Sequence, residues 1–110
     1  MRTCASIISS FNERVGNKEA IAPDEWMLGA MFLNTLIGEE QGRLFDTEQE
    51  YMRQCLKWIE LGESNAVAEK KAKMTSEYIL FKKQQAFVKQ VEEFIRLAKK
   101  HATINHEQGA

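Results

Sequence analysis

The chain has 110 residues, 44% of them hydrophobic and 28% charged, with a formal net charge of −1. These proportions belong to a small globular domain and exclude a disordered chain. The longest apolar run, Trp26 to Ile37, is interrupted by Asn34 and Thr35 and falls short of the roughly 20 residues that a membrane span needs.

The near-neutral total hides an asymmetry. Residues 1–68 hold six Lys/Arg against eleven Asp/Glu, whereas residues 69–100 hold nine against four. An acidic part and a basic part favour mutual approach, within one chain or between copies.

The first predicted helix covers Thr3 to Val15. Cys4, Ile7, Ile8, Phe11 and Val15 share one face, with Ser9, Ser10, Asn12, Glu13 and Arg14 facing away. Gly16 is placed to close it as a left-handed cap. No sustained apolar segment follows Met1-Arg2-Thr3-Cys4, so no signal peptide is expected.

Pro23 opens the second helix, where its missing N–H is an orphan anyway, and Asp24 and Glu25 place negative charge on the first turn. This helix is expected to run to about Ile37. Trp26, Ala30, Leu33 and Ile37 form one row, with Met27/Met31 and Leu28/Phe32 in flanking rows. A helix apolar nearly all round is expected to be surrounded by others. Gly29, beside Ala30, offers a low-profile spot for close approach.

Gly38 and Gly42 bracket Glu39-Glu40-Gln41 and read as a broken turn or a frayed helix end. Thr47 and Glu50 then form a T-x-x-E capping box for a third helix, with Tyr51, Met52, Cys55, Leu56 and Ile59 facing inward and Gly62 closing it.

Ser64, with Asn65 as competitor, caps a fourth segment that contains no proline or glycine before Gly109. Residues 65–100 would reach roughly 54 Å as one helix, longer than a domain with a radius of gyration of about 13 Å is wide. Either this helix breaks near Met74-Thr75-Ser76 or its N-terminal half projects, and the sequence leaves both open. The fold class expected is therefore all-α, a small bundle of four main helices with a long C-terminal helix. Residues 1–101 form a single domain in this reading, and 102–110 a polar, frayed tail.

Catalytic chemistry finds no support. His101 and His106 are five apart, which does not place two metal ligands on one helix face. Glu39–Glu40 and Glu92–Glu93 are adjacent pairs, and neighbours in a helix point apart. No E-x-x-H pattern is present, which disfavours a carboxylate di-metal bundle, and Gly38 and Gly42 lack the G-K-[ST] ending of a phosphate loop. No enzyme activity, cofactor or metal is expected. Cys4 and Cys55 sit at apolar helical positions and read as buried thiols in a reducing, cytoplasmic setting.

The binding signals lie in the C-terminal segment. Leu80, Gln84, Phe87, Val91, Phe94 and Ala98 follow 4-3-4-3-4 spacing, flanked by Phe81, Val88 and Ile95, which is a heptad seam widened by one position. Leu80, Phe81, Phe87, Val88, Val91, Phe94 and Ile95 thus form either a packing face or a homodimer seam, with Gln84 able to set register. Lys70, Lys71, Lys73, Lys82, Lys83 and Lys89 form the candidate basic interaction surface. A protein partner is the first expectation. Nucleic acid is the second: with Arg96 the only arginine of this segment, such binding would be to phosphates and non-specific. Trp26 or Trp58, if exposed, would suit an interface anchor.

The segment from Gly62 through Glu63-Ser64-Asn65-Ala66-Val67-Ala68-Glu69-Lys70-Lys71 to Ala72, followed by Glu77-Tyr78 and by Val91-Glu92-Glu93-Phe94-Ile95, resembles stretches in small helical accessory proteins encoded by bacteriophages. Those proteins share a Gly-x-Ser start, an Ala-Glu-rich turn, a Glu-Tyr pair and a basic amphipathic helix. The resemblance covers about a third of the chain. It implies modulation of host or phage machinery by binding, including replication, recombination or inhibition of a host defence, in the host cytoplasm, and it implies no catalytic residues.

Overall fold

The computed structural model describes the backbone of residues 2–109 and the side chains of residues 2–103; the His106 side chain and most of the expected tail lie outside the described side chains. Among the described residues the chain is all-α, with four helices and no strand: α1 (Cys4–Gly16), α2 (Pro23–Glu60), α3 (Asn65–Ala72) and α4 (Ser76–Gly109). None is long and apolar enough to cross a membrane.

Thr3 caps α1 as its N-cap rather than its first helical residue. Its hydroxyl accepts from the Ser6 amide at 3.0 Å, and the Ser6 hydroxyl accepts from the Thr3 amide at 2.9 Å, so two orphan donors are satisfied reciprocally. At the other end the left-handed residue is not Gly16 but Lys18, with φ of 59°. The Lys18 amide donates to Val15 O at 3.0 Å and the Glu19 amide to Arg14 O at 2.9 Å. That bond pair requires the left-handed residue two positions beyond the last helical one, which places the lysine where glycine is preferred at a cost of about 1 kcal/mol.

The largest departure from expectation is in α2. Gly38 and Gly42 do not break the chain; both lie inside one helix that runs from Pro23 to Glu60. Glycine inside a helix costs only about 1 kcal/mol relative to alanine. The inner row Trp26, Ala30, Leu33, Ile37, Glu40 and Leu44 carries on at helical spacing past both glycines, and burial along that row outweighs the penalty. Thr47 accordingly caps nothing. Its hydroxyl donates back to Leu44 O at 2.9 Å, and Glu50 accepts from Arg53 instead of reaching toward Thr47.

Gly62, with φ of 95°, does terminate α2 as expected, with its amide donating to Ile59 O and the Glu63 amide to Trp58 O. Ser64 caps α3, accepting from the Val67 amide at 3.3 Å. The long C-terminal segment breaks: Thr75 accepts from the Tyr78 amide at 3.4 Å and donates to Ala72 O at 2.6 Å. One hydroxyl thus ends α3 and starts α4.

The chain divides into two compact units, Met1–Gly38 with Lys89–Ala110, and Glu39–Val88. In the first, Cys4, Ile7, Ile8, Trp26, Ala30, Leu33, Val91, Ile95, Ala98 and Ala102 are buried. The Phe11 ring stacks on Trp26 at 4.9 Å and meets the Phe94 ring edge-on at 5.7 Å. It also lies so close to Gly29 that a Cβ there would sit 2.7 Å from it, so Gly29 is the low-profile contact its position suggested. The expectation that α2 is surrounded on all sides fails in this unit, because Met27, Leu28, Met31 and Phe32 are exposed. Only the Trp26 row is covered. Neither cysteine of the chain is in a disulfide; Cys4 is buried and Cys55 half-buried.

Alanine substitutions separate the two kinds of glycine. A Cβ at Gly38 meets nothing within 4 Å, so Gly38→Ala is expected to raise the unfolding free energy by about 1 kcal/mol. Gly29→Ala gains the same propensity but pushes into Phe11, and is expected to lower stability by about 1–2 kcal/mol net. Denaturant titration followed by helical circular dichroism measures both.

Candidate interaction surface

In the second unit the C-terminal half of α2, α3 and the start of α4 surround an aromatic centre. Tyr51 packs against Tyr78 at 5.1 Å and stacks on Phe81 at 5.6 Å with the rings 13° apart. Ala68 and Ala72 are fully buried, their small side chains letting α3 lie close to its neighbours. The inner face of α2 here is Tyr51, Gln54, Cys55 and Trp58, all half-buried. Met52, Leu56 and Ile59, expected inward, are exposed. The physical reason is helical phase: the glycines do not reset it, so the row that buries Trp26 and Leu33 arrives at Tyr51 and Trp58, about one residue away from Met52 and Ile59.

Polar contacts hold this unit in register. The Gln84 amide donates to the Glu40 carboxylate at 2.8 Å and to Glu40 O at 3.0 Å, and Arg43 donates to the other carboxylate oxygen at 2.7 Å. Glu40 is buried, so its carboxylate is stable there because both oxygens are hydrogen-bonded. Gln84, the polar interruption of the C-terminal stripe, does what an isolated core amide does well: it has one partner at one height.

The sequence-derived lysines separate into different environments. Lys71 is half-buried, donates to Glu63 at 2.7 Å and sits 4.7 Å over the Trp58 ring. It closes the loop between α2 and α3. Trp58 is therefore covered and is not an exposed anchor, although its Nε1 is buried with no hydrogen-bond acceptor. Lys73 pairs with Glu69 at 3.0 Å, which raises its pKa through the hydrogen bond and charge of Glu69. Lys82 donates to Gln85 at 3.1 Å and leans over Tyr78 and Phe81. Lys70 and Lys83 are exposed with no carboxylate partner among the described residues. Lys89 belongs to the first unit.

The apolar stripe is mostly internal. Val88 is buried and Phe81 and Phe87 half-buried in the second unit; Val91 and Ile95 are buried and Phe94 half-buried in the first. Leu80 alone is exposed. It forms the apolar side of a cavity of about 290 Å³ whose other walls are Asp46, Thr47, Glu50 and Glu77. Among the described residues no group of three or more His, Cys, Asp or Glu side chains is placed to hold a metal ion.

The row of Met52, Leu56 and Ile59, expected to face inward, is instead an exposed apolar surface that extends to Phe45. Phe45, Met52, Leu56 and Ile59 of α2 are exposed on one side of the second unit. Their spacing would have shown it had the helix been carried through Gly42. No protein-family model, no curated protein and no solved structure matches the chain.

The Tyr51 phenol is pushed up to about 12, chiefly by burial and then by its hydrogen bond to Cys55 and the charges of Cys55 and Glu69. An acid whose folded pKa exceeds its unfolded value of about 10 contributes stability below pH 10 that is lost as pH rises through the folded value. Denaturation midpoints of the native chain should fall between about pH 10 and 12, and those of Tyr51→Phe should fall less over the same window. Gln84→Leu leaves one oxygen of the Glu40 carboxylate without its donor, Arg43 holding the other, and should cost about 2 kcal/mol, whereas adding Glu40→Leu should recover most of that loss; a double-mutant denaturation cycle reads the difference.

Proposed function

We propose that this chain is a non-enzymatic protein-interaction module that acts through charged helical surface, as a phage-type accessory protein or inhibitor acting on host or phage machinery in the host cytoplasm would. The observation that carries the reading is the division among its lysines. Lys71 and Lys73 are held by Glu63 and Glu69, whereas Lys70 and Lys83 project without a carboxylate partner among the described residues. Uncommitted lysines on a folded unit keep their charge available to an acidic protein surface, where they steer encounter and set specificity more than affinity. The resemblance of residues 62–98 to phage accessory proteins supports the same class of function.

Nucleic acid is the second reading, favoured by the same exposed lysines. The two are separated with one variant, Lys70→Glu/Lys82→Glu/Lys83→Glu, compared with the native chain. A protein captured from nuclease-treated host lysate by the native chain and lost by the variant is the expected result. If capture is identical for both, the lysine surface is not the working surface. If the native chain instead shifts random-sequence duplex, with affinity falling steeply in salt and a log–log slope reduced by about 3 in the variant, nucleic acid is the partner.

A further inference from the structure

The exposed side of α2 in the second unit has the order of an interface. Gly42, Phe45, Gln49, Met52, Leu56 and Ile59 follow one another at 3-4-3-4-3 spacing within an unbroken helix, the repeat of a helix–helix seam. All are exposed, with Phe45 at 62%, Met52 at 50%, Leu56 at 54% and Ile59 at 41%. Half-exposed side chains of this size leave on the order of 400 Å² of apolar surface per copy, the size of the largest apolar patch on a typical monomer and one that is often functional. Two such faces supply about 800 Å², and with the polar rim they reach the roughly 1,200 Å² of a specific interface.

We propose that this face is the seam of a homodimer in which the same segment of a second copy runs antiparallel. Shape and charge select that occupant and direction. Set antiparallel, Phe45 faces Leu56 of the second copy, Gln49 faces Met52, and Ile59 faces Gly42, where a Cβ would meet nothing within 4 Å. The large side chain fills the space the glycine leaves. A parallel pair would stack Gly42 on Gly42 and leave that layer empty.

Charge agrees with the antiparallel register. It brings Asp46 opposite Arg53 of the other copy, twice by symmetry. Asp46 is exposed with no ion pair among the described residues, and it borders the cavity whose other carboxylates are Glu50 and Glu77. Arg53 is exposed and touches Glu50 of its own helix, with guanidinium donors to spare. Glu60 meets Glu39 at the outermost ends, where water screens the repulsion. The seam uses none of the lysines of α3 and α4, so the interaction module and the dimer can fail independently.

Sedimentation equilibrium of the full chain over a wide concentration range tests the proposal. The native chain should dimerise. Leu56→Glu, an exposed position whose substitution should leave helical circular dichroism intact, should weaken the dimer by about 100-fold or more, and Met52→Glu should do the same. Asp46→Arg and Arg53→Asp should each weaken it by several-fold, and the double variant should restore it. A monomer at every concentration, or a dimer indifferent to both Leu56→Glu and Met52→Glu, overturns the proposal; a dimer sensitive to those two whose charge swap is not restored overturns the antiparallel register. Lys70→Glu/Lys82→Glu/Lys83→Glu should dimerise like the native chain, whatever it does to partner capture.

Discussion

The faces that α2 presents follow from its continuity through Gly38 and Gly42. A helix carries its angular phase along its length, 100° per residue, and a single uninterrupted helix has no opportunity to turn a different row toward its neighbours. Trp26 and Leu33 are buried in the first unit, and Tyr51 and Trp58, at helical spacing along α2, are half-buried in the second. Phe45, Met52, Leu56 and Ile59 lie on a different row of the same helix and are exposed. Had the glycines broken the helix, its second half could have rotated and buried its greasier side. Two residues that weaken the helix by about 1 kcal/mol each are thus tolerated without changing its course, and the exposed apolar face follows from that tolerance.

Polar side chains then fix heights and ends. Glu40 and Gln84 meet inside the second unit with two hydrogen bonds, and neither can slide by a turn without leaving a buried carboxylate short of a partner. Thr75 divides the C-terminal segment with one hydroxyl that serves both sides of the break. The lysine-rich α3 is tied down by Lys71, which reaches Glu63 and covers Trp58. In this way Lys71 becomes structural, and Lys73 is paired with Glu69, whereas Lys70 and Lys83 have no carboxylate partner among the described residues. The interaction reading and the dimer seam accordingly rest on different residues of the same small unit.

Much of the fold was legible. The all-α class followed from helical period throughout, and the start at Pro23, the stop at Gly62 and the cap at Ser64 each follow from a residue whose side chain or backbone freedom acts within four positions; the break beside Thr75 was one of two courses that residues 65–100 left open. The apolar stripe of α4, with Val88, Val91 and Ile95, was legible from its period, while its use as a packing face is seen only in the fold. The left-handed residue after α1 was not, because the bonds around Arg14 and Val15 select the position and Lys18 carries no preference for it. The different environments of the lysines were not legible either, since Lys70 and Lys71 are neighbours of identical chemistry separated only by what lies across from them.

What the sequence determined by itself was local: where helices begin, where they end and which rows along them are apolar. Short-range hydrogen bonding and side-chain period are sufficient for that. Tertiary structure alone decided which apolar rows are covered. Along α2 there are more such rows than this chain has neighbours to place on them. Trp26, Leu33 and Tyr51 lie on the row that received neighbours; Phe45, Met52, Leu56 and Ile59 lie on one that did not. Burial is a relation between elements, and hydrophobicity at one position cannot say which of several equal faces will find a partner.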